Sequence, residues 1–402
     1  MKDASRYTRG HLSRDAVRAL YGGAVTLSAS RMDMARSCHF AYFMRYGLKA
    51  RERTGAGFDA PQIGTFVHDV MEHTLRQAKE CGGLHTLSKN KLHALVRASI
   101  EEYIDRVLPD LCEKSARFRY LFNRLCATVE RIMDEVSEEL QSSDFEPLAF
   151  ELEFGADGQL PAITIREENG TARVVGKVDR VDGWLHDGKL YLRVVDYKTG
   201  KKSFDLAELR YGLGLQMLLY LFTLKEEGQM LFGGHEIVPA GVLYTPAREP
   251  MLRCARDTEP ETIEKALKKE LRRSGMVLED PAVLQAMEHS ALESPCYLPI
   301  AVKRDGAVTG SLASAEQLGK LSKYVDHILH EITQEVFAGN IDANPYARTP
   351  QQSACTYCEF ASACHFENGC GSDRMEYIKA TKNDEFWQYI DEVNGEGARE
   401  NG

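Results

Sequence analysis

The chain has 402 residues, enough to bury a sizeable core and to build more than one packed unit. Its net charge of −10 gives no generic nucleic-acid signature, so any contact with a polyanion has to come from local basic strips. No stretch reaches the roughly 18 apolar residues of a membrane span. The start, Met1 to Arg6, lacks the apolar core of a signal peptide, and the ten cysteines are expected to be reduced in a cytoplasmic protein, not a disulfide framework.

In chain order, residues 10–50 read as helical and aromatic-rich around Cys38. Over 62–79, Ile63, Phe66, Val67, Val70, Met71 and Leu75 recur at helical spacing. Helices continue over 89–142 with a break near Pro109, and Glu146 to Phe154 reads as a strand. Two further strands cover 176–182 and 193–200, and a helix over 205–226 precedes a short strand from Ile237 to Tyr244. Residues 247–313 read as a charged, irregular, partly mobile insertion with one amphipathic helix near 259–273. A long helix over 314–338 leads into a cysteine-rich end, and the polar tail beyond Val393 is expected to be disordered. The units expected are an N-terminal helical segment (1–60), a core (61–246), the insertion (247–313), a C-terminal helix with the cysteine-rich segment (314–370) and a tail (371–402). There is no internal repeat and no Walker-type loop, so no ATPase motor is expected. Two basic strips stand out: Arg45, Lys49, Arg51 and Arg53, then Arg117, Arg119 and Arg124 interleaved with Phe118, Tyr120 and Phe122. Such strips suit a nucleic-acid surface and equally a solvated helix face.

The most informative pattern is the pair Gly176-Lys177-Val178-Asp179-Arg180-Val181-Asp182 and Arg193-Val194-Val195-Asp196-Tyr197-Lys198-Thr199-Gly200. Alternate side chains of a strand share a face. Val175, Lys177, Asp179 and Val181 therefore point one way in the first run, as do Leu192, Val194, Asp196 and Lys198 in the second. A turn with Asp187 and Gly188 suits a hairpin. Adjacent strands lie roughly 4.7–4.9 Å apart, so Asp179 and Asp196 can converge with Lys198 beside them. Two carboxylates and an ammonium at one strand end make a site for a hard divalent cation and a water, the arrangement of metal-dependent phosphodiester cleavage. Asp and Lys flanking a strand are also ordinary solvated ends. Here the Val-rich run reads as buried, where a charged pair needs partners.

Cys355-Thr356-Tyr357-Cys358 is followed by Cys364. Tetrahedral thiolate binding of zinc or of an iron–sulfur cluster needs four ligands, and this run supplies three. A distant fourth cysteine would clamp remote parts of the chain together. On spacing alone, a zinc site completed by His365 or Cys370 and ordinary buried cysteines both stay open.

Taken together, the motifs resemble the nuclease domain of AddB, the nuclease-bearing partner of AddA in AddAB-type helicase–nucleases. The resemblance is carried by Ser28-Ala29-Ser30-Arg31-Met32-Asp33 leading to Cys38-His39-Phe40-Ala41-Tyr42-Phe43, Gly64-Thr65-Phe66-Val67-His68, the two strand motifs above, Gln216-Met217-Leu218-Leu219-Tyr220 and the closing cysteines. It runs in order over about residues 17–366. That family belongs to the PD-(D/E)XK nucleases, in the RecB-like branch with a [4Fe–4S] cluster. The resemblance implies an α/β fold with a mixed central sheet flanked by helices, helical additions and an iron–sulfur staple. It assigns the cluster to Cys38, Cys355, Cys358 and Cys364. His68, Asp179, Asp196 and the Tyr197 carbonyl become metal ligands, Lys198 the catalytic lysine, and Gln216 with Tyr220 the following helical motif. Two departures stand out: His39 replaces the usual proline after the first cluster cysteine, and the helicase-like portion before the nuclease is not in this sequence.

The chemistry agrees with the assignment. Magnesium prefers oxygen ligands, and His68 as a softer donor admits manganese. Gly64 lies one turn before His68, where a missing side chain lets a strand or a phosphate approach. Lys198 would orient the attacking water or stabilise charge at phosphorus. Gln216 and Tyr220, at i and i+4, share a helix face and would hold the scissile phosphate or a neighbouring nucleotide. The function expected is a Mg2+-dependent DNA exonuclease acting on single-stranded, 5′-ended DNA in double-strand-break repair and recombination, with an AddA-type helicase as partner. Two alternatives are a standalone RecB-like exonuclease of the CRISPR-associated kind and a non-catalytic DNA-end binding module.

Overall fold

The computed structural model describes residues 9–51, 60–155 and 158–400. At its centre is a six-stranded mixed sheet. Its spatial order is Leu312–Ala313, Ser274–Leu278, Glu236–Pro246, Lys189–Lys198, Gly176–His186 and Glu146–Phe154. Gly176–His186 and Lys189–Lys198 form the expected hairpin, closed by Asp187 and Gly188, both at positive φ (47° and 77°). That backbone suits a two-residue turn matching strand twist, and Asp-Gly is among the pairs that adopt it most readily. Lys189–Lys198 then runs parallel to Glu236–Pro246, and the crossover between them carries the Gln216 helix.

Helices cover this sheet. The helix Ala60–Glu80 buries Phe66, Val67, Val70 and Met71 completely, as the 3.6-residue spacing requires. It lies along the edge strand, with Arg76 and Lys79 donating to the carbonyls of Phe150 and Leu148. Lys89–Val107 and Ala116–Gln141 pack beside it, each started by a serine cap (Ser88, Ser115). The long helix Ala315–Ala338 starts with a capping box, Ser314 with Gln317, and stops at Gly339 in the left-handed conformation. A second small sheet lays Ala24–Leu27 parallel to Gly170–Val174, which pairs antiparallel with Ile163–Glu167. Among the described residues no helix is long and apolar enough to cross a membrane.

Four expectations need correction. Residues 10–50 are not continuously helical, because Ala24–Leu27 is a strand; its four residues are too few to carry a readable alternation. The helix expected over 205–226 is two, Leu206–Arg210 and Gln216–Glu227, broken where Gly212 and Gly214 both take positive φ. Residues 247–313 do contain the amphipathic helix, Pro260–Leu271, but they are not an irregular insertion. Ser274–Leu278 is a buried central strand, and Gly275 lies so close to the Val242 carbonyl that a Cβ there would meet it at 1.9 Å. The tail beyond Val393 continues the helix Asn383–Glu400, whose Phe386, Trp387 and Ile390 are buried in the core. Arg53 of the first basic strip lies outside the described residues.

Candidate functional site

The hairpin register pairs Arg180 with Val195 and Val181 with Val194, so Asp179 and Asp196 come opposite each other at its open end. Asp179 accepts the backbone N–H of Tyr197 at 2.9 Å, while Asp196 forms a 2.6 Å ion pair with Lys198. Lys198 also lies 5.7 Å from the centre of the Tyr244 ring. His68 reaches this end from its helix. Its Nε2 donates to the Tyr197 carbonyl at 2.8 Å, and its Nδ1 is 3.4 Å from Asp179. Burial opposes a charged imidazole there, but the Asp179 carboxylate outweighs it and lifts His68 to about 9. Burial and then the neighbouring Asp179 raise Asp196 to about 6, against the pull of Lys198.

One residue at this site was not legible in the sequence. Glu151, in the middle of the edge strand, takes φ 48°. A non-glycine residue in the left-handed region inside a strand is strained, and here the twist carries the carboxylate toward the hairpin. Glu151, His68 and Asp179 each offer a ligand atom within 4.8 Å of the others. Lys177 holds Glu151 at 2.6 Å, and burial raises the Glu151 carboxyl above its usual range. Two carboxylates and an imidazole are a fitting donor set for a divalent cation. Asp196 stands beside this trio, engaged by Lys198, and the Tyr197 carbonyl is taken up by His68.

Gln216 and Tyr220 do share a helix face, with the Gln216 amide donating to the Tyr220 hydroxyl at 3.1 Å. They line a cavity of about 590 Å³ together with Ser28, Ser30, Lys177 and Gly176. The first basic strip is engaged at Arg45, which pairs with Glu359 at 2.8 Å. In the second, Arg124 pairs with Glu249 and Arg119 donates to the carbonyls of Cys112 and Lys114.

Cys38, Cys355, Cys358 and Cys364 line one cavity of about 570 Å³, which His365 also borders and Cys370 does not. Cys38 is buried, which pushes its thiol up to about 11; burial raises Cys355 and Cys364 as well. Segments remote in sequence meet beside this cavity through protein contacts. Arg9 pairs with buried Asp373 at 2.8 Å and donates to the Cys364 carbonyl, and the Phe40 N–H donates to the Asp342 carbonyl. His39, standing where proline is usual, uses its backbone N–H on Asn344 at 2.9 Å, a bond proline could not make.

The model of the PD-(D/E)XK nuclease superfamily matches residues 26–365. Among curated proteins the chain is similar to the B component of an ATP-dependent helicase/deoxyribonuclease from several bacteria. It is 31% identical to that of Ruminiclostridium cellulolyticum over 387 residues, 95% of this chain and 33% of that protein. The Acetivibrio thermocellus protein is 33% identical over 94% of this chain and 33% of its own length. The one from Caldanaerobacter subterraneus subsp. tengcongensis is 32% identical over 96% and 33%. The chain thus spans about a third of the length of these relatives.

Proposed function

The chain belongs to the PD-(D/E)XK nuclease superfamily, and from that premise we propose that it is the DNA-cleaving part of a helicase–nuclease of the AddB type. The observation that carries the reading is the meeting of Asp179, Asp196, Lys198, His68 and Glu151 at one end of the central hairpin. Asp179, Glu151 and His68 would hold a divalent cation, Mg2+ by the hardness of the carboxylates and Mn2+ as a substitute admitted by the imidazole. Asp196 would add a further oxygen donor once Lys198 turns from it to substrate, while the Tyr197 carbonyl stays engaged by His68. When bound, such a cation supplies Lewis-acid polarisation of the phosphoryl oxygen and a water of lowered pKa. Lys198, pointing from the same strand end, orients the attacking water and neutralises charge building at phosphorus. Gln216 and Tyr220 grip the phosphate or the adjoining nucleotide from the cavity side.

The substrate we infer is a single-stranded DNA end, cut exonucleolytically from its 5′ side during processing of double-strand breaks, with a helicase of AddA type delivering the strand. Cys38, Cys355, Cys358 and Cys364 would hold a [4Fe–4S] cluster, four thiolates being its usual complement. The test is digestion of end-labelled single- and double-stranded DNA by the purified chain with Mg2+ or Mn2+, beside an Asp196→Ala control. Metal-dependent shortening from one end, lost in Asp196→Ala, is the expected result. Near-normal cleavage by Asp196→Ala, or none by the parent chain with either metal, overturns it.

A further inference from the structure

On the other face of the two site strands lies a line of buried charges that the cleavage chemistry does not touch. Arg180, Asp182 and Arg193 are each 0% exposed, and Glu139 and Arg273 hardly more. Arg180 grips Asp182 through Nε at 2.8 Å and Nη2 at 3.0 Å. Arg193 donates to the same carboxylate at 2.9 Å and reaches Glu139 at 3.5 Å. Arg273, just before the strand Ser274–Leu278, closes the line on Glu139 at 2.6 Å. At its other end, Arg180 Nη1 donates to the Tyr197 hydroxyl at 2.7 Å.

Burying five ions carries a heavy desolvation cost, and apolar side chains of similar volume would often fill such a space with no loss of stability. What apolar filling cannot do is fix one phenol oxygen in one place. Tyr197 is the residue between Asp196 and Lys198, and its ring is buried on the charged face. Its peptide looks the other way. The N–H donates to Asp179 at 2.9 Å and the carbonyl accepts from His68 at 2.8 Å. A single residue therefore sets the position of two of the three donors of the candidate metal group.

We propose that Tyr197 is the positioning residue of the metal centre, and that the buried line from Arg180 through Asp182, Arg193 and Glu139 to Arg273 is the frame that fixes it. This rests on the nuclease reading above. The frame spans the sheet from the hairpin to the strand Ser274–Leu278 and the helix Ala116–Gln141, so residues with no contact to substrate set how tightly His68 and Asp179 close on a cation. Partners of metal ligands typically change affinity by about 10–100-fold when lost. Tyr197 acts through its peptide, so the lower end of that range is the expectation.

The experiment is Mn2+ binding to the purified chain, followed by electron paramagnetic resonance, for the parent, Tyr197→Phe, Arg180→Lys and Thr333→Val. Tyr197→Phe keeps the ring and removes only the oxygen that Arg180 holds. Thr333, 0% exposed with its hydroxyl on the Leu329 carbonyl, supplies a buried polar loss away from the frame. Tyr197→Phe is expected to weaken Mn2+ binding about tenfold and to raise the Mg2+ needed for half-maximal cleavage alike, with KM for DNA unchanged at saturating metal. Thr333→Val should lower the unfolding midpoint and leave Mn2+ affinity alone. Parent-like Mn2+ affinity in folded Tyr197→Phe overturns the proposal; if that variant does not fold, parent-like affinity in Arg180→Lys does so. A parent chain that neither binds Mn2+ nor cleaves DNA sinks the nuclease reading instead.

Discussion

Replacing Gly64 with alanine separates stability from function at the site. Gly64 lies in the first turns of the helix Ala60–Glu80, four residues before His68 and so on the same face. Its φ is not positive, and a Cβ built there meets nothing within 4 Å. The backbone thus has no need of glycine, and no neighbour among the described residues requires the gap. A glycine inside a helix costs about 0.8–1.0 kcal/mol relative to alanine, so Gly64→Ala should stabilise the fold by about 1 kcal/mol. Unfolding entropy of roughly 2 cal/mol/K per residue over a chain of this length turns that into only about 1 °C, so the measurement should be a urea midpoint. If the gap is where a DNA phosphate passes toward His68, the methyl displaces it. Misplacement of reacting groups by about 1 Å can cost on the order of 100-fold, and kcat/KM should fall at least tenfold while stability rises. A Gly64→Ala protein that is more stable and cleaves DNA as before would refute the route; a less stable one would refute the reading of the gap as empty.

Acid should weaken the fold through Glu139. Burial opposes its charge, but Arg273 and Arg193 outweigh that and hold the carboxyl at about 2, below its ordinary 4.5. A depressed folded-state pKa gives stability that is complete above the ordinary value and lost as pH falls toward 2. The urea-measured stability gap between the parent and Glu139→Gln should therefore narrow by about 2 kcal/mol from pH 5 to pH 3; a gap constant with pH would contradict the pairing. Substituting Cys38 by serine should remove iron–sulfur absorbance, whereas substitution of exposed Cys81 or Cys254 should not. The stability lost should approach the roughly 6 kcal/mol of closing a loop of about 300 residues, because the Arg9–Asp373 and Phe40–Asp342 contacts are absent from the unfolded chain that such a closure constrains. Stoichiometric zinc without iron in anaerobically purified protein would exclude the cluster and leave the closure intact.

The hairpin was legible because strand alternation, an Asp-Gly turn and the spacing of Asp179 from Asp196 all constrain the same register. Glu151 was not, for a local reason. In Phe150-Glu151-Leu152-Glu153-Phe154 the alternation treats both glutamates alike, as a polar edge, and only the positive φ of Glu151 separates them. The strand Ser274–Leu278 was missed because its burial depends on Gly275 fitting against Val242, a pairing between remote segments. Buried Arg180 and Arg193 escaped for the opposite reason: a guanidinium in a strand reads as solvent-facing, and only the partners gathered by the fold offset the cost of its burial.

The contacts of the helix Ala29–Ser37 link the cysteine-lined cavity to a site built from the middle of the chain. The helix ends on Cys38, and its other end, with Ser28 and Ser30, walls the cavity of Gln216 and Tyr220. Between them, Asp33 accepts the N–H of Gly214 at 2.9 Å, two residues before Gln216, and Arg36 donates to the Tyr211 carbonyl while pairing with Glu331 and Glu335. One short helix therefore joins the cysteine-lined cavity, the long helix Ala315–Ala338 and the start of the Gln216 helix to one another. Rotation of that helix on opening the closure would move Asp33 off Gly214 and tilt Gln216 before it disturbed Asp179 or Asp196, which the hairpin holds independently. If the four cysteines hold the proposed cluster, its loss should therefore weaken DNA binding before it weakens Mn2+ binding, and a Cys38→Ser protein that loses Mn2+ affinity first would contradict this order.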